Sequence, residues 1–263
     1  MKRLAVLGHP VGHSRSPAMH NAALSELGLG GAWRYEAIDV TPDAFEARVQ
    51  AMQAEGFAGA NVTVPHKGAA LALADELSET AREIGAANTL VFTEGEIRAE
   101  NTDAEGLLRA LPGSPAGKRA LVLGAGGAAR AVVWALLREG ATVAVWNRTE
   151  LRSRHLCQEL GGEPVASPDQ AGYELIVNTT AVGLGGEDPF AELPLLAAAF
   201  TPGQTIVDMV YGAEPTTLLR AARAGGATTV DGLEILVQQG ALSLQIWTGR
   251  EPPLDTMRAA ART

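Results

Sequence analysis

The sequence predicts an α/β protein of two domains, an N-terminal α/β domain and a second one built on a doubly wound parallel sheet. Three observations predict it. Short continuous apolar runs alternate with helical patterns along the whole chain, as expected of strands buried on both faces between crossover helices. A dense breaker cluster, Leu111-Pro112-Gly113-Ser114-Pro115-Ala116-Gly117-Lys118, interrupts the alternation. Just beyond it, Gly124-Ala125-Gly126-Gly127-Ala128-Ala129-Arg130 stands between a strand pattern and a helical one.

Leu4–Gly8 reads as the first strand. Ser16-Pro17 opens a helix, with Ser16 as N-cap, Pro17 in the first helical position and Gly28 as stop. Tyr35–Val40 is a second strand, and Thr41-Pro42-Asp43 starts a helix that runs to Gly56. Gly59–Val64 is a third strand, ended by Pro65. After two short helical stretches, Asn88–Phe92 and Ile97–Glu100 form a hairpin around Glu94-Gly95. A domain boundary is expected just before the short helix Ala104–Leu111. Beyond it come Ala120–Leu123 (strand), Gly126–Glu139 (helix), Thr142–Asn147 (strand) and Leu151–Leu160 (helix). Leu175–Asn178, Thr205–Asp208 and Thr228–Val230 are further buried strands. Gly232–Thr248 and Leu254–Ala261 are helical only, so they are expected to pack elsewhere than in that sheet.

Composition narrows the function classes. With 263 residues, 46% apolar and 19% charged, the chain can bury a core and is not disordered. Its 21 basic and 30 acidic residues give a net charge of −9, which argues against a protein whose whole surface clamps nucleic acid and leaves room only for a local basic patch. The single Cys157 excludes an intrachain disulfide and a Cys-rich zinc site and fits a reducing compartment. The apolar run Leu4–Gly8 is too short for a signal peptide, and Ala120–Leu137 is cut by Arg130 and by glycines, so it is no membrane span. The histidines show no ligand spacing such as HExxH, and no metal is expected. A cytoplasmic protein is expected, with no membrane and no nucleic acid as partner.

The Gly124 turn is the phosphate turn of a Rossmann unit. Gly124 permits the tight bend, and Gly126 lets backbone amides and the helix N-terminus approach a pyrophosphate. Ala129 is the third small residue, where helix and strand pack closely. An NAD enzyme usually carries Asp or Glu at the end of the second strand to accept from the ribose 2′-hydroxyl. This chain has Asn147-Arg148-Thr149, then Arg152. Two guanidiniums and a hydroxyl suit a 2′-phosphate, which points to NADP over NAD.

The first hundred residues carry polar clusters that the fold alone does not demand: Ser14-Arg15-Ser16-Pro17, Asn61-Val62-Thr63-Val64-Pro65-His66-Lys67, Asn88, and Asn101-Thr102-Asp103. Each has a plain reading, Ser16 and Thr102 as helix caps, Asn61 and Thr63 as turn formers, Lys67 as a surface lysine, Asp103 as a first-turn acid. Taken together with Gly85-Ala86-Ala87-Asn88-Thr89, Val177-Asn178-Thr179-Thr180, Asp208-Met209-Val210-Tyr211 and Asp231-Gly232-Leu233, they resemble the shikimate dehydrogenase family in order and spacing over nearly the whole chain.

The resemblance implies an enzyme that reversibly reduces 3-dehydroshikimate to shikimate with NADP in aromatic amino-acid biosynthesis. It implies a substrate-binding domain of residues 1–102 with 237–263, and a Rossmann domain of residues 103–236. Lys67 is similar to the family's catalytic lysine and Asp103 to its carboxylate partner. Ser14, Ser16, Thr63, Asn88, Asp103, Tyr211 and Gln239 resemble its substrate contacts, with Asn61 a neighbour. Gly124, Ala125, Gly126, Gly127 and Ala128, then Asn147, Arg148, Thr149 and Arg152, and finally Met209 and Gly232, resemble its cofactor contacts. Ala104, Ala213, Thr217 and Glu234-Ile235 depart from the family pattern, and none of them removes a proposed catalytic group. A homodimer is left open.

The chemistry fits these residue types. Hydroxyl and amide side chains can hold a substrate's hydroxyls and carboxylate. A ketone oxygen gains negative charge on reduction and needs a proton or a cation, which a lysine supplies and an aspartate can position. Three rivals stand beside this reading: a quinate/shikimate dehydrogenase using NAD, a non-catalytic NADP-sensing module, and a folate-linked dehydrogenase. Arg148 and Arg152 argue against the first, the presence of Lys67 and Asp103 against the second, and the Ser14-x-Ser16 loop against the third.

Overall fold

The computed structural model describes residues 1–263, which divide into two compact units, Met1–Gly106 with Leu236–Thr263, and Leu107–Ile235. The chain passes from one unit to the other within two helices.

The first part of the chain folds as β1 (Lys2–Gly8), α1 (Ser16–Glu26), β2 (Trp33–Asp39), α2 (Phe45–Ala54), β3 (Phe57–Val62), α3 (Lys67–Ala72), β4 (Glu76–Leu77), α4 (Glu79–Ile84), β5 (Thr89–Thr93), β6 (Glu96–Glu100) and α5 (Asp103–Ala110). The sheet order is β2-β1-β3-β5-β6-β4. β1 pairs in parallel with both β2 and β3, whereas β5 is antiparallel to β3 and to β6. The hairpin turns at Glu94-Gly95, where Gly95 takes a left-handed φ of +84°. Ala5, Leu7, Ala60, Val62 and Leu90 present one face of the sheet to Phe45, Val49 and Met52 of α2.

The helix expected from Thr41-Pro42-Asp43 begins as a 3-10 turn at Pro42–Ala44 and becomes α2 at Phe45. At two other helix starts the capping differs from the sequence reading. Ser16 is the first residue of α1 rather than its cap; Arg15 holds the N-cap position with no side-chain bond, and the Ser14 hydroxyl accepts the Ser16 amide at 3.3 Å. At α5 the side chain of Asn101, rather than Thr102, accepts the first amides, those of Asp103 and Ala104, at 3.1 and 3.3 Å. At the far end of α1 the expected stop holds. Gly28 has φ +71°, and the amides of Gly28 and Leu29 bond back to Ser25 and Leu24, closing the helix with a Schellman motif.

The second unit contains β7 (Arg119–Leu123), α6 (Gly127–Arg138), β8 (Thr142–Trp146), α7 (Glu150–Leu160), β9 (Glu163–Pro164), β10 (Leu175–Asn178), α8 (Pro189–Glu192), β11 (Thr205–Asp208), α9 (Thr217–Ala224) and β12 (Thr228–Asp231). Every pairing in the order β12-β11-β10-β7-β8-β9 is parallel. Alternate residues of each strand enter different cores. Ala120, Val122, Leu175, Val177 and Val207 join the α6 and α7 side chains, while Leu121, Leu123, Ile176 and Ile206 join Leu218, Leu219 and Ala222 of α9. Both faces are thereby covered, which explains why these strands read as unbroken apolar runs. The two-residue strands β4 and β9 carry too little pattern to be legible. α10 (Gly232–Thr248) and α11 (Leu254–Ala261) complete the chain, with α11 packed on α1 in the first unit. No helix is long and apolar enough to cross a membrane.

Candidate active site

In the first unit, β3 ends at Val62 and the chain turns into α3, whose first residue is Lys67. His66 anchors the turn: its ring Nε2 donates to the Val40 carbonyl at 2.7 Å, and the ring stacks on Phe45. Thr63 packs its methyl on Gly8, where a Cβ would come within 2.5 Å of it. Lys67 Nζ meets Oδ2 of Asp103, 36 positions later, at 2.5 Å. The two side chains are only 11% and 6% exposed, so water does little to loosen the pair, and a charge-assisted contact of this kind fixes both groups. Asp103 begins α5, where the helix dipole favours a carboxylate.

Asn88 holds the other side of that carboxylate. Its Nδ2 lies 2.9 Å from Asp103 Oδ1, 2.9 Å from Thr102 Oγ1 and 3.1 Å from Gln239 Oε1. Its Oδ1 accepts the Thr102 amide at 2.7 Å. Asn61 supports this layer with its amide engaged at both ends. Tyr35 donates to its Oδ1 at 2.7 Å, and its Nδ2 donates to Ser243 Oγ at 2.9 Å and Thr89 Oγ1 at 3.1 Å. Gln239 is brought in by α10, and a Cβ on Gly106 would stand 2.8 Å from the Gln239 amide nitrogen, so a glycine is needed for that approach. Lys67, Asn88, Asp103 and Gln239 thus converge, with Asn61 one layer behind. Ser14 is half-buried and Ser16 buried, at the start of α1. Little in the sequence marks Tyr35, Thr89, Thr102 and Ser243 as members of this network. Ser243 follows Gln239 by one helical turn, so it shares a face with it; that spacing is the one signal available.

In the second unit, Gly124 sits at φ +116° with its amide donating to Trp146 at 2.7 Å, and a Cβ there would reach within 2.5 Å of Thr179 Oγ1. Gly126 caps α6 and has open space where its side chain would be. The first-turn amides of α6, those of Gly127 and Ala128 among them, have no partner within the helix and suit a phosphate. At the end of β8, Asn147 Nδ2 donates to the Thr149 carbonyl at 2.9 Å. Arg148, Thr149 and Arg152 are exposed around the start of α7. A cavity of about 420 Å³, lined in part by Trp146, Asn147, Arg148 and Thr180, opens beside them. Helix N-terminal amides at α6, two exposed guanidiniums near the start of α7 and a cavity lined by Arg148 are a donor set that fits a dinucleotide carrying a 2′-phosphate.

Met209 and Tyr211 follow β11, both half-buried, and Met209 donates its amide to Asn178 at 3.0 Å. A Cβ on Gly232 would meet the Met209 carbonyl at 2.5 Å, so this approach too requires glycine. Asp208 ties the loops together. It accepts from Thr216 Oγ1 at 2.6 Å, Asn178 Nδ2 at 2.9 Å and the Val210 amide at 3.1 Å. Burial pushes its carboxyl above the usual range despite those donors.

Known proteins resemble this chain in sequence and fold over its whole length. Residues 6–90 match the family described as the shikimate dehydrogenase substrate binding domain, 107–178 match shikimate / quinate 5-dehydrogenase, and 232–262 match the shikimate 5′-dehydrogenase C-terminal domain. The shikimate dehydrogenase (NADP(+)) of a Thermus thermophilus strain is 47% identical over 264 residues, covering 100% of this chain and 98% of the relative. A crystal structure of shikimate 5-dehydrogenase from the same organism, in complex with NADP(H) and shikimate, superposes with a TM-score of 0.90 at 45% identity, covering 100% of this chain and 99% of that one. The shikimate dehydrogenase of Aquifex aeolicus gives 0.93 at 38% identity, covering 100% and 98%. With a relative at this identity matched end to end, and family matches in both units, the chain belongs to the shikimate dehydrogenase family.

Proposed function

We propose that this chain is an NADP-dependent oxidoreductase that reversibly reduces 3-dehydroshikimate to shikimate, a step of aromatic amino-acid biosynthesis. The observation that carries the catalytic assignment is the Lys67–Asp103 pair, nearly dry and held from behind by Asn88. Lys67 is the acid–base group. In reduction its ammonium donates a proton from Nζ to the ketone oxygen as that oxygen gains charge; in the reverse direction the neutral amine accepts the proton from the hydroxyl. Asp103 holds Nζ in place and accepts from a substrate hydroxyl. When bound, the cofactor supplies or takes up the hydride.

Ser14 and Ser16 hold the substrate carboxylate, and Thr63, Asn88, Tyr211 and Gln239 hold its oxygens, with Asn61 behind them. Gly124, Ala125, Gly126, Gly127 and Ala128 carry the pyrophosphate. Asn147, Arg148, Thr149 and Arg152 hold the adenosine end with its 2′-phosphate, and Met209 and Gly232 border the nicotinamide end. The enzyme works in the cytoplasm, in keeping with a single buried cysteine. Light scattering on the purified chain reads whether it is a homodimer.

The test is absorbance at 340 nm with shikimate plus NADP, set against quinate plus NAD. Activity only with the second pair overturns the reading. Lys67→Ala should lower kcat by about 10²–10⁴ with substrate binding largely kept. Retention of more than about a tenth of the parent kcat removes Lys67 from the acid–base role.

A further inference from the structure

The cavity beside Arg148 contains two carboxylates that the cofactor reading does not use. Glu187 and Glu192 both line it. Glu187 is turned back on its own loop, where it accepts the amides of Gly183 and Gly185 at 3.0 Å each. Glu192 instead faces Arg148. It closes α8, and its Oε2 lies 3.6 Å from Arg148 Nη1. The ion pair therefore joins two residues that line one cavity, one following β8 and one ending α8. Arg148 is 84% exposed and Glu192 44%, so the pair is weak and exchangeable.

A 2′-phosphate that takes the Arg148 guanidinium must do so next to the Glu192 carboxylate. We infer that Glu192 is a specificity-determining residue for the cofactor: it competes with the adenosine 2′-phosphate for Arg148 and thereby restrains the preference of this site for NADP over NAD. The inference rests on the NADP reading above. Its physics is elementary. The phosphate brings close to two negative charges, Glu192 brings a third, and one guanidinium lies between them. A ribose 2′-hydroxyl brings no charge and can even donate to the carboxylate. Removing the negative charge at position 192 then favours the phosphate-bearing ligand and leaves the other almost unchanged. Exposure and salt screening keep the effect modest.

The test is equilibrium binding by titration calorimetry, with 2′,5′-ADP and 5′-ADP as probes, on the full chain and on Glu192→Gln. The variant should bind 2′,5′-ADP about three- to tenfold more tightly at low salt, with the gain shrinking as salt is raised, while 5′-ADP changes by less than about twofold. Glu139→Gln, at an exposed site ending α6, controls for net charge and should shift neither probe. Unchanged or weaker 2′,5′-ADP binding in Glu192→Gln overturns the inference, and so does an equal gain for both probes or an equal gain in Glu139→Gln. A parent chain that binds 2′,5′-ADP no more tightly than 5′-ADP fails the NADP reading itself, a result visible without any variant.

Discussion

Asn88 Nδ2 lies 2.9 Å from Asp103 Oδ1, on the carboxylate oxygen opposite the one that Lys67 takes. The carboxylate is thus gripped from both sides, and its plane is set by an amide that is itself tied to Thr102 and Gln239. Asn88→Ala frees one oxygen of Asp103 and removes a charge-assisted bond worth about 1.5–3 kcal/mol. We expect kcat to fall by about tenfold or more, with Lys67 still present. Asn88→Asp should be at least as damaging, because a second carboxylate would face the first. Steady-state kinetics of both variants, with thermal melts to confirm folding, check this; an Asn88→Ala enzyme with unchanged kcat would show that Lys67 alone positions Asp103.

The two arginines after β8 should decide cofactor choice. Arg148 and Arg152 are both exposed at the start of α7, away from the buried core, so changing both to Gln should leave the fold intact. Each contact with a 2′-phosphate is worth roughly 1.5–3 kcal/mol. NADP affinity should drop steeply in the double variant, by about 10²-fold or more, while NAD changes little. Calorimetric titration with both cofactors checks it, and equal loss for the two would remove the arginines from phosphate recognition.

How legible all this is in the sequence depends on the range of the contacts. The strands of the second unit are readable because both of their faces are buried, so Leu121 and Val122 are apolar alike although they serve different cores. The Gly124 turn is readable because its φ and its approach to Thr179 admit only glycine. Lys67, Asp103 and Asn88 are findable as polar residues at strand and helix ends, yet their convergence is a tertiary fact that no spacing encodes. The supporting layer is the least legible. Thr102 reads as a helix cap, but its hydroxyl lies 2.9 Å from Asn88 Nδ2 and 3.1 Å from Ser243 Oγ. Asn101 takes the capping role, its Oδ1 accepting the Asp103 and Ala104 amides. Local rules assign the cap to whichever small polar residue is nearest, and only packing decides between neighbours.

His20 should set the acid limit of stability. It is fully buried, stacked on Tyr35 with ring centroids 4.2 Å apart, and neither ring nitrogen has a hydrogen-bond partner. Burial lowers its pKa from 6.5 to about 3. Between those two values the unfolded chain binds a proton that the folded chain refuses, so stability rises with pH across that window and is lost as pH falls below about 6.5. The slope is about 1.4 kcal/mol per pH unit. His20→Phe keeps a ring for Tyr35 and cannot titrate. Between pH 6.5 and 4.5 the parent should lose about 2–3 kcal/mol more than the variant, read from urea unfolding at each pH. Parallel losses in the two proteins would show that His20 does not carry the acid sensitivity.

Lys67 and Asp103 should behave as one unit. They approach to 2.5 Å from two separate elements, α3 and α5, in surroundings that leave them 11% and 6% exposed. Removing Lys67 leaves a buried carboxylate without its cation, and removing the charge of Asp103 leaves an ammonium held by nothing comparable. Lys67→Ala should therefore act on kcat. Asp103→Asn should lower kcat and raise KM together, because in the proposed mechanism Asp103 both orients Nζ and accepts from a substrate hydroxyl. If each residue acted alone, the two losses of transition-state stabilisation would add in the double variant. Since the proposed role of Asp103 in proton transfer passes through Lys67, that part disappears once Lys67 is gone. The double variant should lose less than the sum of the singles by at least about 1.4 kcal/mol, a tenfold coupling in kcat/KM. The readout is steady-state NADPH formation with shikimate for the parent and the three variants under identical conditions. Strict additivity would mean that Asp103 serves the substrate independently of Lys67, and the ion pair between them would then be a structural contact rather than part of the proton-transfer machinery.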